Sequence, residues 1–149
     1  MSRTHREKAG FTVVELILAM IVLTILLALA APSFGRSERR WAAYTAARTL
    51  AADVARARQR AIQDRQTVRV VLDTLDGSYE VRPSDGEPLP RRRLRPDLRL
   101  GTSAYRQEIL FSGRGASNLY AAAWVGVRGD PRAREHRIRV LPTGAIEVP

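Results

Sequence analysis

A continuous apolar run near the start of the chain dominates its hydrophobic pattern. The run covers residues 11–31, contains one charged residue, Glu15, and is followed directly by Pro32. A helix rises about 1.5 Å per residue, so about 21 residues span roughly 30 Å, the thickness of a bilayer core. The pattern therefore predicts a hydrophobic transmembrane or assembly helix at residues 11–31, preceded by a basic segment at residues 1–10.

Glu15 distinguishes this run from a plain single-pass anchor. A carboxylate at the bilayer centre costs about 2.5–3.5 kcal/mol on insertion scales and is normally retained where it has a partner. Cleavage between Gly10 and Phe11 would place a new amino group four residues before Glu15, one helical turn away. That amine and the carboxylate would attract each other, within one helix or between staggered neighbouring helices. A cleaved secretory signal fits less well, because its apolar region is shorter, about 7–15 residues.

A second helical half is predicted to run from residue 38 to about residue 66. This stretch is rich in alanine and lacks glycine and proline, which favours a helix. An apolar stripe recurs at helical spacing through Leu50, Val54, Ala57 and Ala61, with Tyr44 and Ala47 leading into it. The arginines of this stretch lie mostly off the stripe, with Asp53 and Asp64 interspersed, and are assigned to a solvated face rather than to a nucleic-acid-binding stripe. We expect a kink at Pro32 to join the two halves.

From residue 67 the hydrophobic period changes to two, which predicts strands. A hairpin is expected around Asp76-Gly77, and an arginine-rich exposed loop follows between Pro83 and Pro96. Further short strands are predicted at residues 98–100, 108–111, 119–127, 137–141 and 145–148, with Trp124 assigned to the core. The fold class is therefore α+β, a long kinked N-terminal helix packed on antiparallel β-sheets.

The positive charge of the chain raises the question of whether its partners are anionic. The net charge is +10, and the basic residues 1–10 contribute +2, so residues 11–149 carry +8. A candidate basic contact surface is formed by Arg91, Arg92, Arg93, Arg95, Arg137 and Arg139. These side chains could contact phosphates or an acidic partner surface, although a basic loop without aromatic residues is more often simply solvated.

Candidate catalytic chemistry is sparse in this sequence. The chain has no cysteine, and its two histidines, His5 and His136, lie far apart in sequence. No metal-ligand cluster and no nucleophile with its base can be assembled from them. We therefore predict no catalytic residues, no metal and no cofactor. An anchored enzyme is the least favoured function.

The N-terminal residues match a known pattern. Lys8-Ala9-Gly10, then Phe11-Thr12-Val13-Val14-Glu15, the apolar run and Pro32 resemble the signature of type IV pilins and type II secretion pseudopilins. The resemblance implies that prepilin peptidase cuts after Gly10 and that Phe11 is N-methylated. It also implies a single-pass inner-membrane protein with a periplasmic pilin-like domain at residues 32–149, assembled with other pilin subunits.

The rest of the chain is similar to the GspH/FimT-like branch of that family. The features that match are the helix end at residues 57–62, the strand at residues 109–111 with Gly113, and the closing strands around Thr143-Gly144. This resemblance implies a minor pseudopilin of a type II secretion system that contacts other subunits and exported cargo. The alternative is a DNA-binding minor pilin. Some FimT-like members bind DNA through Gly-Arg-x-Arg in the last hairpin, where this chain has Gly144-Ala145-Ile146-Glu147.

Overall fold

The described part of the chain forms one long helix followed by eight short strands. The computed structural model describes residues 12–148, except for the side chains of residues 30–34 and 36. Helix α1 covers Val13–Gln63, and a short 3-10 turn covers Tyr105–Gln107. The strands are β1 (Val68–Asp73), β2 (Ser78–Pro83), β3 (Arg92–Arg93), β4 (Leu98–Thr102), β5 (Glu108–Phe111), β6 (Ala121–Val127), β7 (His136–Val140) and β8 (Ile146–Glu147). The predicted α+β class, a helix with antiparallel sheets, is confirmed.

The chain divides into two compact units, Met1–Ser37 and Glu38–Pro149, and the boundary between them lies within α1. In the first unit, every side chain from Thr12 to Leu29 is exposed. None of the helices in the described part of the chain is long and apolar enough to cross a membrane. Pro32 lies inside α1, and the kink expected there stays a prediction. The second unit, Glu38–Pro149, is called the globular unit below.

The apolar stripe predicted on the second half of α1 is confirmed. Ala47, Leu50, Val54 and Ala61 are each at most 1% exposed, and Ala57 is 2% exposed. These small side chains recur on one helix face, so the helix can approach the sheets closely. Burial of each leucine or valine side chain contributes about 1.5–3 kcal/mol to the free energy of unfolding.

The end of α1 explains why the helix stops short of the predicted residue 66. The helix ends at Gln63, and Arg65 takes a left-handed conformation with φ 51°. The amide of Gln66 donates to the carbonyl of Ala61 at 3.2 Å, and Arg65 donates to Ile62 at 3.4 Å. This is a Schellman cap, a motif that usually places glycine in the left-handed position.

The eight strands form two antiparallel four-stranded sheets. The first has the order β3-β2-β1-β5 and the second has the order β4-β6-β7-β8. The predicted hairpin joins β1 to β2, with Val70 opposite Val81 and Gly77 in the turn at φ 65°. Alternate side chains of both sheets join the helix stripe in one core, with Phe111 and Val125 at 0% exposure.

Two predictions about the sheets were wrong in detail. The expected loop between Pro83 and Pro96 contains β3, whose Arg92 lies opposite Tyr79 of β2. A two-residue edge strand made of arginines has no periodicity that could reveal it. Trp124 is half-buried and lies on the sheet face opposite Ala123 and Val125, which are buried, because successive side chains of a strand point to opposite faces.

Gly144→Ala is expected to destabilise the globular unit by roughly 3 kcal/mol, because strain and overlap combine. Gly144 has φ 79° in the turn between β7 and β8, and an added Cβ would overlap the carbonyl of Gly115. That same carbonyl accepts a hydrogen bond from Arg58 Nε at 2.9 Å. Urea unfolding of the globular unit measures the change.

A matched control for that substitution is Gly129→Ala. Gly129 has a similar φ of 77°, but an added Cβ meets nothing within 4 Å. Its cost should therefore be the left-handed strain alone, about 1 kcal/mol. Equal effects of the two substitutions would show that the Gly115 contact does not constrain this turn.

Candidate functional site

The first turn of α1 brings together two residues of the predicted processing and assembly signature. The amide of Glu15 donates to Thr12 Oγ1 at 3.2 Å, so Thr12 acts as the helix N-cap. Glu15 is exposed, and its negative charge complements the partial positive charge of the helix N-terminus. Sequence reasoning missed this cap, although Thr12-x-x-Glu15 is the pattern of a capping box. Gly10 and Phe11 lie outside the described residues.

The helix that follows is apolar on every side. Val14 is 72% exposed, Leu16 57% and Leu29 74%, with a similar exposure for the large apolar side chains between them. Helices that are hydrophobic all round normally lie buried in protein or lipid. The described part of the chain leaves these side chains exposed, so they need apolar surroundings from another source.

The arginines of the predicted basic surface at Arg91 to Arg95 are each paired with acids. Arg93 Nη2 lies 2.6 Å from Asp76 Oδ1, and Arg91 Nη2 lies 2.6 Å from Asp73 Oδ2. The remaining ion pairs join Arg92 to Asp53 at 3.3 Å, and Arg95 to Glu38 at 3.2 Å and Asp97 at 3.1 Å. The positive charge of this segment is thus largely compensated within the fold.

The two aspartates of the β1–β2 turn are stabilised in their charged forms. The backbone amide of Asp76 donates to Asp73, and this hydrogen bond lowers the pKa of Asp73, with Leu75 and Arg91 adding to the effect. The pKa of Asp76 is lowered mainly by its hydrogen bond from Arg93. Both carboxylates therefore stay ionised at pH values below the usual titration range of aspartate, and they continue to bind the arginines there.

A buried polar cluster that was not predicted from the sequence joins α1 to the first sheet. Asp53 is only 7% exposed. Its Oδ2 accepts a hydrogen bond from the hydroxyl of Tyr79 at 2.7 Å and lies 3.3 Å from Arg92 Nε, and Oδ1 contacts Arg56. The spacing contained a signal, because Asp53 follows Leu50 by three residues and therefore lies on the stripe.

Arg137 and Arg139 occupy a second location, on the outer face of the second sheet. Arg137 Nη2 lies 3.3 Å from Glu135, and Arg139 Nη1 lies 3.5 Å from Glu147. Both arginines are on β7, whereas Arg91 to Arg95 flank and form β3 in the other sheet. The six arginines grouped by sequence reasoning therefore do not form a single surface.

His136 begins β7 and packs on the helix. Its ring lies 5.4 Å from that of Tyr44, edge to face. Burial lowers the pKa of His136, and the neighbouring Arg134 adds to the effect. Within residues 12–148 no group of three His, Cys, Asp or Glu side chains could hold a metal ion.

Comparison with known structures identifies the fold. The chain is similar to the minor pseudopilin EpsH from the type 2 secretion system of Vibrio cholerae, with 12% identity, a TM-score of 0.60, and coverage of 72% of this chain and 95% of that one. It is also similar to the type IV minor pilin FimU of Pseudomonas aeruginosa PAO1, with 17% identity, a TM-score of 0.60, and coverage of 77% and 90%. The fold is therefore pilin-like.

The family follows from the sequence itself. A model of the type II transport protein GspH matches residues 46–144, and the prokaryotic N-terminal methylation motif matches residues 5–31. The chain belongs to the GspH family of the type IV pilin superfamily. The curated protein sequences contain no significant match to it.

Proposed function

We propose that this protein is a minor pseudopilin, a structural subunit of a type II secretion pseudopilus with no catalytic role. The observation that carries the proposal is the presence of two family matches in one chain, the methylation motif at residues 5–31 and the GspH match at residues 46–144. The first supplies a processing and assembly segment. The second match lies in the globular unit, which has its own hydrophobic core.

In this proposal prepilin peptidase removes residues 1–10 and methylates Phe11. The apolar side chains of residues 13–29 lie in the inner membrane until assembly, with the globular unit in the periplasm. In the fibre they contact the helices of other pilin subunits. The exposure of these side chains supports this role, because either environment removes them from water. Contacts with exported cargo would involve the globular unit.

Glu15 is proposed to accept the methylated amine of Phe11 on an adjacent subunit. A carboxylate left unpaired in a dry helix bundle costs several kcal/mol, so pairing would set the axial register of the subunits. Glu15→Gln is therefore expected to insert in the membrane at normal levels. It should enter the fibre at least tenfold less efficiently, since about 1.4 kcal/mol corresponds to a factor of ten.

Crosslinking to neighbouring subunits, relative to the amount in the membrane, measures that effect. Two variants separate pairing from helix capping. Glu15→Asp keeps the charge and should retain part of the assembly, whereas Thr12→Ala removes only the cap oxygen and should cost about 1 kcal/mol of helix stability. Normal assembly of Glu15→Gln would contradict the pairing role. A failure of the wild-type protein to crosslink to any pilin subunit would contradict the proposed function.

The similarity to FimU favours one alternative, a minor pilin of a type IV pilus. Deleting the gene and measuring protein secretion and pilus-dependent motility separates the two machines. Loss of secretion would indicate the type II secretion system, and loss of motility would indicate the type IV pilus. The DNA-binding form of this alternative has less support. Arg91 and Arg93 are already held by Asp73 and Asp76, and Glu147 occupies the last hairpin.

A further inference from the structure

The outer face of the second sheet carries arginines on two strands around one tryptophan. Strand alternation places Arg99 of β4, Trp124 of β6, and Arg137 and Arg139 of β7 on this face, opposite the core. The register puts Trp124 between Gly101 and Arg137. The three arginine side chains are 51%, 62% and 56% exposed. We call these four residues, without Gly101, the Trp-Arg face.

Trp124 is held in a fixed position on this face. Its indole lies over Gly101, where an added Cβ would come 2.6 Å from the ring atom Cζ2. Arg137 Cζ lies 5.6 Å from the ring centroid, within the range of a cation–π contact. A tryptophan that is already ordered loses little entropy when it is covered. Tryptophan and arginine are also the side chains most enriched at the energetic centres of protein interfaces.

The charges on the face indicate the kind of partner. Glu135 pairs with both Arg99 and Arg137, at 2.5 and 3.3 Å, and Glu147 pairs with Arg139. A guanidinium has five N–H donors, and each of these ion pairs uses one of its nitrogens, so donors remain for the carboxylates of a partner. We propose that the Trp-Arg face docks an acidic segment of another protein, with carboxylates on the arginines and an apolar side chain on Trp124.

A second copy of this chain is a poor occupant of the face. The globular unit contains 21 of the 25 basic and 13 of the 15 acidic residues, a net charge of +8. Two such units repel each other, whereas a protein with an acidic surface is attracted and oriented. The docking surface therefore selects a different, acidic protein. This inference does not depend on which machine the subunit serves.

Tryptophan fluorescence tests the proposal directly, because the chain has only two tryptophans. Trp41 is 68% exposed and can be replaced by phenylalanine, which leaves Trp124 as the sole reporter. Full-length protein in detergent is titrated with a ten-residue glutamate peptide that has a central leucine. We expect a saturable change in Trp124 emission that weakens as salt is added.

The decisive variant is Arg137→Gln combined with Arg139→Gln, which should weaken peptide binding at least tenfold. The matched control is Arg69→Gln with Arg82→Gln, which removes the same charge from opposing positions on the outer face of the first sheet. The control should change the affinity less than twofold. Circular dichroism verifies that each variant is folded.

Three results would overturn the docking surface. One is the absence of any saturable response to the peptide. Another is an equal loss of affinity in both double variants, because that would reflect general charge attraction. The third is tighter binding of a 20-nucleotide oligothymidylate than of the peptide, since the face would then prefer nucleic acid. Gly101→Ala adds an independent measurement. It displaces the indole of Trp124 without changing the charge, so it should weaken peptide binding severalfold.

Discussion

Gly10→Leu is expected to leave residues 1–10 on nearly all of the protein. A peptidase must bring its catalytic groups close to the backbone on both sides of the bond it cuts, and glycine allows the closest approach. A leucine immediately before the bond between Gly10 and Phe11 fills that space. Intact-mass spectrometry of the membrane fraction measures the retained leader and the absence of the added methyl group.

Ala9→Leu is the matched control for this experiment. It adds a leucine of the same size one residue further from the cleaved bond, so trimming should continue at a substantial level. Normal trimming of Gly10→Leu would show that the cleavage site is elsewhere or that the peptidase does not act on this chain. Loss of trimming in both variants would mean that bulk anywhere in this segment blocks the enzyme.

The parts of the fold that sequence predicted depend on local periodicity. The stripe through Leu50 and Val54 follows from 3.6-residue spacing, and the β1–β2 hairpin follows from alternation around Asp76-Gly77. Each signal lies within about ten residues of chain. The processing signature is local as well, because Gly10 and Glu15 belong to one short segment.

The parts that sequence missed depend on partners distant in the chain. Arg93 looked like part of an exposed basic run, but Asp76, 17 residues away, binds it from the neighbouring turn. Trp124 looked like a core residue until its strand mates showed which face was buried. Charge composition alone therefore overstated how much positive surface is available for DNA.

In the proposed function, the two matched segments of the chain have separate tasks. The side chains from Thr12 to Leu29 are exposed, and the buried core residues of the described part of the chain lie between Ala43 and Val140. Substitutions in the first segment should therefore alter processing and assembly without unfolding the globular unit. Substitutions in the core should act through stability, and the buried cluster around Asp53 provides the most sensitive position for that test.

Asp53→Ala is expected to destabilise the globular unit by about 3 kcal/mol, because it breaks a buried, charge-assisted cluster. The hydroxyl of Tyr79, a residue only 5% exposed, would lose the acceptor that lies 2.7 Å away. Arg56 and Arg92 would lose a partner but are 69% and 57% exposed, so water can replace it. Asp64→Ala is the control, since its pair with Arg60 is exposed and worth about 0.5 kcal/mol or less.

A double-mutant cycle with Tyr79→Phe isolates the buried hydrogen bond. Tyr79→Phe alone should cost about 1 kcal/mol. The double variant should cost less than the sum by about 1 kcal/mol, because no hydroxyl is then left unsatisfied. Additive costs would show that Asp53 acts on the arginines alone, independently of Tyr79.

Alkaline unfolding provides a second readout of the same bond. Burial raises the pKa of Tyr79, and the hydrogen bond to Asp53 raises it further. The unfolded chain therefore releases the phenolic proton near pH 10, while the folded chain still holds it. The titration of Tyr79 should consequently leave the unfolding free energy unchanged below about pH 10 and lower it above that pH, by up to roughly 1.4 kcal/mol per pH unit for one proton. Tyr79→Phe should remove this part of the alkaline loss, and an unchanged pH profile would contradict the role assigned to the buried hydroxyl.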